Sequence, residues 1–176
     1  MKGYAATIGF FDGVHRGHRH VVHTLLRMAE ERGLQTLVVT FANHPLSVIR
    51  PELVPQQLCS VEEKCQRLTD AGADEVVLLN FTREMMQQSA YDFMKSVLRD
   101  QLHVRLLMLG YDNRFGRRQE GEGFEQYVEY GKELGIEVVC GPSPEEAGLF
   151  EGKPVSSSLI RQLMTEGRAK DAEHLF

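Results

Sequence analysis

The sequence lacks any hydrophobic run long enough to cross a bilayer. Its longest apolar stretches, such as Val76–Leu79 and Leu106–Leu109, contain only a few residues each, whereas a transmembrane helix needs about 20. The first apolar run leads directly into Asp12 and a series of histidines, where a secretory signal would place its cleavage site. We therefore expect neither secretion nor a membrane partner.

Cysteine is scarce, and positive charge is not in excess. The three cysteines, Cys59, Cys65 and Cys140, are odd in number and form no C-x-x-C motif, which is typical of a reducing cytoplasm. A net charge of −5 argues against nucleic acid as the main partner. An anionic ligand therefore requires local positive charge, and the composition leaves the oligomeric state open.

The length and the hydrophobic pattern predict one globular domain over residues 1–176. Apolar runs such as Leu34–Phe41 and Val104–Tyr111 alternate with amphipathic helices, and Gly33 and Gly135 follow two of these helices. Continuous apolar strands separated by helices are typical of a parallel sheet covered on both faces. We predict an α/β fold with an open, doubly wound parallel sheet, in which ligands bind at the carboxyl ends of the strands.

Local signals place the remaining elements. Ser60 and Glu63 form a capping-box pattern at the start of a helix. We also predict a helix over Ser89–Gln101, a loop over Pro142–Pro154, an amphipathic helix over Ser156–Glu166 and a short helical tail over Lys170–Leu175.

The densest candidate motif follows the first strand, from Phe10 to His18. Gly13 and Gly17 allow backbone amides to approach a ligand closely, and a helix N-terminus attracts phosphate. His15 and His18 can both donate hydrogen bonds into the same small volume. Taken alone, Asp12-Gly13 is an ordinary turn, and histidines at a helix start can simply be solvated.

A metal site is the alternative interpretation of the histidines, because His15, His18, His20 and His23 lie close together in the sequence. No carboxylate or cysteine stands beside them, and the spacing is not H-E-x-x-H. We therefore predict no metal ligand among them and expect His20 and His23 to lie on the helix surface.

The second motif consists of three serines, Ser156–Ser158, followed by Arg161. One serine is accounted for as a helix N-cap. The other hydroxyls, the free amides and the guanidinium fork of Arg161 suit phosphate oxygens, although Arg161 alone would read as a surface residue.

The third motif is the loop Gly110–Arg118, which follows an apolar strand. Asp112 can accept a hydrogen bond from a ribose or flavin donor, Phe115 can stack on a ring, and Arg114 can face phosphate. Alternatively, these are solvated loop residues.

Together these motifs resemble the adenylyltransferase half of the prokaryotic bifunctional riboflavin kinase/FMN adenylyltransferases, the bacterial FAD synthetases. Gly9–His18 is similar to G-x-F-D-G-V-H-x-G-H throughout, and Ser156–Arg161 to S-S-[ST]-x-I-R. Thr40–Pro45 resembles T-F-x-P-H-P with Asn43 in place of proline, and Gly110–Gly116 resembles G-x-D-F-R-F-G with Asn113 in place of phenylalanine.

The resemblance implies a Rossmann-like nucleotidylyltransferase that converts FMN and MgATP to FAD and pyrophosphate without a covalent enzyme intermediate. It implies that His15, His18 and Arg161 are catalytic. The implied ATP-binding residues are Gly9, Phe10, Asp12, His15, Gly17, His18, Ser157, Ser158 and Arg161. The implied flavin-binding residues are Asn43, His44, Asp112 and Arg114. Mg²⁺ is expected to be held mainly by ATP phosphates and water.

Two other functions remain open at this point. A sister nucleotidylyltransferase with another phosphorylated acceptor would share H-x-G-H, and a non-catalytic flavin or nucleotide sensor would share the fold. Family members usually continue into a β-barrel kinase domain. We expect no such domain between residues 1 and 176, and therefore no riboflavin kinase activity.

Overall fold

The computed structural model describes residues 3–110, 115–117 and 119–176. Within them, five parallel strands form one sheet, and a short two-stranded hairpin lies outside it. The strands are β1 (Tyr4–Ile8), β2 (Gln35–Phe41), β3 (Glu75–Leu79), β4 (Val104–Leu109) and β5 (Glu137–Cys140). They lie side by side in the order β3-β2-β1-β4-β5, and Ala6 is aligned with Leu37 on one side and with Leu107 on the other. The chain adds β2 and β3 on one side of β1 and then β4 and β5 on the other side. The winding therefore changes direction where β1 and β4 lie side by side.

Helices connect the strands. They are α1 (Arg16–Arg32), α2 (Leu46–Ile49), α3 (Val61–Asp70), α4 (Arg83–Gln87), α5 (Ala90–Phe93), α6 (Phe124–Leu134), α7 (Ser157–Thr165) and α8 (Ala169–Glu173). Three 3₁₀ turns are also present, at Asp12–Val14, Pro51–Leu53 and Pro144–Ala147. No helix in the described ranges is long and apolar enough to cross a membrane.

The core lies on both faces of the sheet, because side chains of successive strand residues point to opposite sides. On one face, Ala5 and Met108 pack against Leu25 of α1, while Val38 packs with Leu68 of α3. On the other face, a larger cluster joins the strands to α5, its continuation and α6; it includes Ala6, Leu37, Leu107, Phe93, Leu98 and Tyr127. The predicted doubly wound parallel sheet is confirmed.

Most of the local signals are confirmed. Ser60 and Glu63 form both hydrogen bonds of a capping box at the start of α3, and Ser156 caps α7 by accepting from the Leu159 amide at 3.1 Å. Gly33 and Gly135 end α1 and α6 with positive φ angles of 63° and 72°, which glycine adopts without steric cost.

Two elements differ from the sequence prediction. The segment Pro142–Pro154, predicted as a loop, contains a 3₁₀ turn and an antiparallel hairpin formed by β6 (Leu149–Phe150) and β7 (Lys153–Pro154). The helix predicted over Ser89–Gln101 is present, but Met94–Gln101 is π-helical. Hydrophobic periodicity separates helix from strand and does not distinguish helices whose hydrogen bonds differ by one residue.

Gly131 sets the distance between α6 and β5, and an alanine there should destabilise the fold. A Cβ at this position would lie 2.4 Å from the Ile136 carbonyl oxygen and 2.6 Å from Val138 Cγ2. We expect Gly131→Ala to lower the free energy of unfolding by about 1–3 kcal/mol, measured by urea denaturation. The control is Gly123→Ala, since a Cβ there meets nothing within 4 Å. Equal stability of the two variants would contradict this account of the packing.

Candidate active site

The loop between β1 and α1 is held in a tight, left-handed conformation. Phe11 and Val14 have φ angles of 53° and 50°, and Gly13 has a φ of 77°, a region that costs energy for non-glycine residues. A Cβ on Gly13 would lie 2.8 Å from the Phe176 ring. The turn predicted at Asp12-Gly13 is confirmed as the 3₁₀ turn Asp12–Val14.

Two histidine rings stack at the end of this loop. The ring centroids of His15 and His18 are 3.7 Å apart with the planes at 20°. His15 is only 5% exposed, and the Nδ1 atoms of both rings are buried without a hydrogen-bond partner in the described part of the chain. The predicted meeting of these two rings in one small volume is confirmed.

Gly17 makes this stacking possible. A Cβ on Gly17 would lie 3.1 Å from the His15 ring and 3.3 Å from the Val155 carbonyl oxygen. Close approach thus accounts for the glycine within H-x-G-H, but the groups that approach are a histidine ring and a carbonyl of the chain itself; the approach of a ligand to Gly17 stays a prediction.

Burial keeps both imidazoles neutral near pH 7. It lowers the pKa of His15 from its ordinary value of 6.5 to about 4. Burial is also the main reason that the pKa of His18 lies well below 6.5, and the neighbouring His15 and Lys64 lower it further. A neutral imidazole donates one hydrogen bond and accepts one, so the pair offers N–H donors to an anion rather than positive charge.

The serine motif lies across a groove from the histidines. The groove has a volume of about 690 Å³. It is lined by His15, His18, Pro144, Lys153, Pro154, Val155, Ser156, Ser157, Ser158, Leu159 and Gln162. The Ser157 hydroxyl donates to the Asp12 carbonyl at 3.1 Å, and Ser158 is exposed. The N-terminus of α7 and the histidine pair, about 140 residues apart in the sequence, therefore border one groove.

Arg161 is not an ordinary surface arginine. Its Nη2 donates to Asp12 Oδ2 in an ion pair, and its Nε donates to the Gln56 carbonyl at 2.8 Å. The other carboxylate oxygen of Asp12 accepts from the Leu58 amide at 2.9 Å. The Nη1 group has no partner among the described residues, and Arg161 itself is not one of the residues that line the groove.

A smaller cavity of about 200 Å³ adjoins the groove at the ends of β1, β4 and β5. It is lined by His15, Gly17, His18, His20, Val21, Gly110, Pro142, Ser143, Pro144, Ala147 and Val155. The expectation that His20 lies on the surface was wrong: it is half-buried, and its Nε2 has no partner in the described ranges. His23 is exposed, as expected.

An apolar cavity of about 400 Å³ opens at the ends of β1 and β2. Its walls are Ile8, Gly9, Phe10, Phe41, Pro45, Ile49, Phe81, Met85, Met86, Phe93, Phe115 and Gly116. Gly9 and Phe10, which the resemblance assigned to the nucleotide, thus line this cavity and not the groove. Phe115, predicted to stack on a ring, also lines it.

Asn43 and His44 lie at the end of β2. The Asn43 amide clamps the chain after β3, because its Oδ1 accepts from the Phe81 amide at 2.8 Å and its Nδ2 donates to the Phe81 carbonyl at 3.0 Å. The His44 ring contacts the Phe10 ring edge-on, with the two ring centroids 4.6 Å apart. His44 Nδ1 accepts from the Leu46 amide at 3.1 Å. The other two predicted flavin residues, Asp112 and Arg114, lie outside the described residues.

Lys64 and most of the apolar cavity were not predicted from the sequence. Lys64 lies on the buried stripe of α3, one turn before Leu68, and a charged residue on an apolar stripe was the available signal. The cavity residues come from separate elements and share no motif. Among the described residues, no group of three or more His, Cys, Asp or Glu side chains is placed to hold a metal ion.

Comparisons with known proteins identify the family of the chain. The fold is that of a doubly wound α/β protein with its candidate site at the carboxyl edge of the sheet. Residues 1–159 match the family described as FAD synthetase, and the chain therefore belongs to the FAD synthetase family.

Two curated relatives are both described as bifunctional riboflavin kinase/FMN adenylyltransferase. The Escherichia coli (strain K12) protein is 32% identical over 175 residues, which are 99% of this chain and 54% of that protein. The Haemophilus influenzae protein is 30% identical, with coverage of 99% and 55%. The chain thus spans about half the length of these relatives.

One solved structure supports the fold alone. A crystal structure described as a macrolide-efflux protein from Streptococcus pneumoniae aligns with a TM-score of 0.82 at 24% identity. The alignment covers 99% of this chain and 56% of that chain.

The burial of His15 predicts a specific dependence of stability on pH. Between about pH 6.5 and 4 the unfolded chain binds a proton at this residue that the folded protein does not, so the free energy of unfolding should fall as the pH falls. The loss from this group alone is roughly 3 kcal/mol. Titration of the His15 ring by NMR should give a midpoint near 4; a midpoint near 6.5 would contradict the burial argument.

Proposed function

We propose that this chain transfers the adenylyl group of ATP to FMN, giving FAD and pyrophosphate. The observation that carries the proposal is that two unlike sites border the same loop at one edge of the sheet. An apolar cavity reaches Gly9 and Phe10, and a polar groove begins at His15 on the same loop. A substrate with a flat apolar ring and a phosphate suits two such neighbouring sites.

The apolar cavity suits the isoalloxazine ring of FMN. Its volume of about 400 Å³ and its aromatic walls are typical of sites for planar cofactors. His44 lies beside Phe10, and because its Nδ1 accepts from the Leu46 amide, its Nε2 carries the proton in the neutral ring and can donate to the flavin. We assign Gly9 and Phe10 to the flavin side.

Asn43 supports this cavity instead of donating to the flavin, because its amide already bonds Phe81 on both edges. Phe81 is part of the cavity wall. Asp112 and Arg114 remain flavin-side predictions from the resemblance.

The groove suits the triphosphate of ATP. The neutral imidazoles of His15 and His18 offer N–H donors, Ser158 offers an exposed hydroxyl, and the N-terminus of α7 favours negative charge. Arg161 is paired with Asp12 and so fixes the loop that carries the histidines; its contact with the phosphates stays a prediction from the resemblance. Ser157 supports the same loop through its bond to the Asp12 carbonyl.

The reaction then requires little covalent work from the protein. A phosphate oxygen of FMN attacks the α-phosphorus of ATP in line, and the bond from that phosphorus to the bridging oxygen of the β-phosphate breaks. Negative charge grows on the departing pyrophosphate, where His15, His18 and Arg161 can donate hydrogen bonds. Positioning and charge stabilisation supply the rate enhancement.

Mg²⁺ fits this site as an ion carried by the nucleotide. The described residues provide no cluster of three ligands for a protein-bound metal, and Mg²⁺ prefers phosphate oxygens and water. When bound, it neutralises part of the charge of the triphosphate.

The proposal is tested by incubating the chain with FMN, ATP and Mg²⁺ and separating the products by chromatography. FAD and pyrophosphate should appear in equal amounts. Nicotinamide mononucleotide and phosphopantetheine serve as comparison acceptors, and a faster reaction with either would favour a sister nucleotidylyltransferase. Nucleotide and flavin binding without pyrophosphate release would favour a sensor.

His15→Ala and His18→Ala should each lower turnover by about 10²–10³, because each removes a donor that acts on the developing charge. The KM for ATP should change much less. The matched control is His23→Ala, which alters an exposed histidine of the same helix and should retain nearly full turnover. If the three variants show similar turnover, His15 and His18 are not catalytic.

Met85→Trp should fill part of the apolar cavity that Met85 lines. We expect the KM for FMN to rise at least about tenfold, since the ring loses part of its space, while the KM for ATP stays unchanged. Met85→Leu conserves volume and serves as the control. Steady-state kinetics with each substrate varied in turn distinguish the two effects, and an equal rise in both KM values would place the flavin elsewhere.

A further inference from the structure

Lys64 is a buried lysine that packs against Phe10 and Phe41 next to the candidate site, and its side chain is not accounted for by the proposed reaction. The residue is 3% exposed. Its Nζ donates to the Phe41 carbonyl at 2.7 Å and to the Phe10 carbonyl at 3.2 Å, and it lies 4.1 Å from the centroid of the Phe10 ring. A lysine is rarely buried to this extent unless it is paired.

No carboxylate of the described residues forms a salt bridge with this ammonium group. Asp12 is the nearby acid that interacts with it electrostatically, but the Asp12 carboxylate is already paired with Arg161. Two carbonyl oxygens and an aromatic face stabilise the ammonium group only in part. A buried cation without a counter-ion is costly, and it leaves an uncompensated positive charge inside the site.

The position of this charge is fixed by the sheet. Phe10 follows β1 and Phe41 ends β2, so Lys64 ties together the carboxyl ends of two neighbouring strands. Thr40 reinforces the same point, because its hydroxyl donates to the Phe10 carbonyl at 3.0 Å. Phe10 and Phe41 both line the apolar cavity, so the ammonium group lies directly behind the cavity wall and makes no contact with its interior.

We propose that Lys64 is a positioning residue that fixes Phe10 in the cavity wall and whose buried charge selects a phosphorylated flavin over a neutral one. The inference rests on the proposed function, because it assumes that the cavity binds the flavin ring. A flavin in the cavity would extend its phosphate towards the histidine groove, past the loop that begins at Phe10. In a poorly solvated region, a fixed cation acts on such a dianion even without contact.

A comparison of FMN with riboflavin separates the effect of the Lys64 charge from a structural effect of the substitution, since the two ligands share the ring and differ in the phosphate. We expect Lys64→Met to raise the Kd of FMN about tenfold or more, with the Kd of riboflavin changed by less than about threefold. Both constants are measured by quenching of flavin fluorescence. Lys64→Arg retains the charge and should retain the preference of the wild type for FMN.

Two further variants make every outcome informative. Lys64→Gln removes the charge and keeps a donor, so it replaces Lys64→Met if thermal unfolding shows that the methionine variant does not fold. Lys132→Met removes an exposed lysine on α6 and controls for net charge; its FMN and riboflavin affinities should match the wild type.

Equal weakening of FMN and riboflavin binding, or unchanged FMN binding, would overturn the role of the Lys64 charge. Binding of neither flavin by the wild type would overturn both this inference and the proposed function. If the wild type binds both flavins but makes no FAD, only the proposed chemistry fails, and the comparison at Lys64 still decides its own question.

Discussion

The ion pair between Arg161 and Asp12 is the interaction on which the candidate site depends. Asp12 is 6% exposed and follows β1, whereas Arg161 belongs to α7 near the other end of the chain. The same two side chains also bond the backbone of Gln56 and Leu58. Three distant segments therefore meet at one carboxylate, and removing Arg161 would leave the buried Asp12 carboxylate without its ion-pair partner.

The histidine pair illustrates a conflict between stability and chemistry. An unpartnered buried nitrogen costs about 1–3 kcal/mol, and the Nδ1 atoms of His15 and His18 are both in that state. Burial also removes their charge near pH 7, because it holds both pKa values low. The arrangement is unfavourable for folding but gives two neutral donors at the edge of the groove. Such local violations of packing rules are expected where a site must bind a ligand.

Hydrophobic periodicity and capping residues in the sequence predicted the α/β class, the doubly wound sheet and most helix ends, because these depend on local burial and on caps such as Ser60 and Gly33. The two motifs around His15 and Ser157 were also predicted to serve one ligand. The apolar cavity was not predicted as a cavity, since its walls come from residues that meet only in three dimensions. Lys64 was missed for a related reason: its partners are backbone carbonyls, which carry no sequence signal. The pairing of Arg161 with Asp12 rather than with a free ligand likewise required the structure.

The conformation of the β1–α1 loop is not a property of the H-x-G-H motif alone. Phe11 and Val14 adopt positive φ angles that persist only where surrounding contacts over-determine them. The segment after α7 contacts this loop: the Leu175 carbonyl accepts from the Arg16 amide at 2.8 Å, and the Phe176 ring lies only 2.8 Å from the position of a Cβ on Gly13. Arg67 of α3 completes the enclosure, since its Nη1 donates to the Gly13 carbonyl at 2.8 Å and its guanidinium lies over Phe176. The segment after α7 is therefore part of the site, because it holds the strained backbone from which the histidines project.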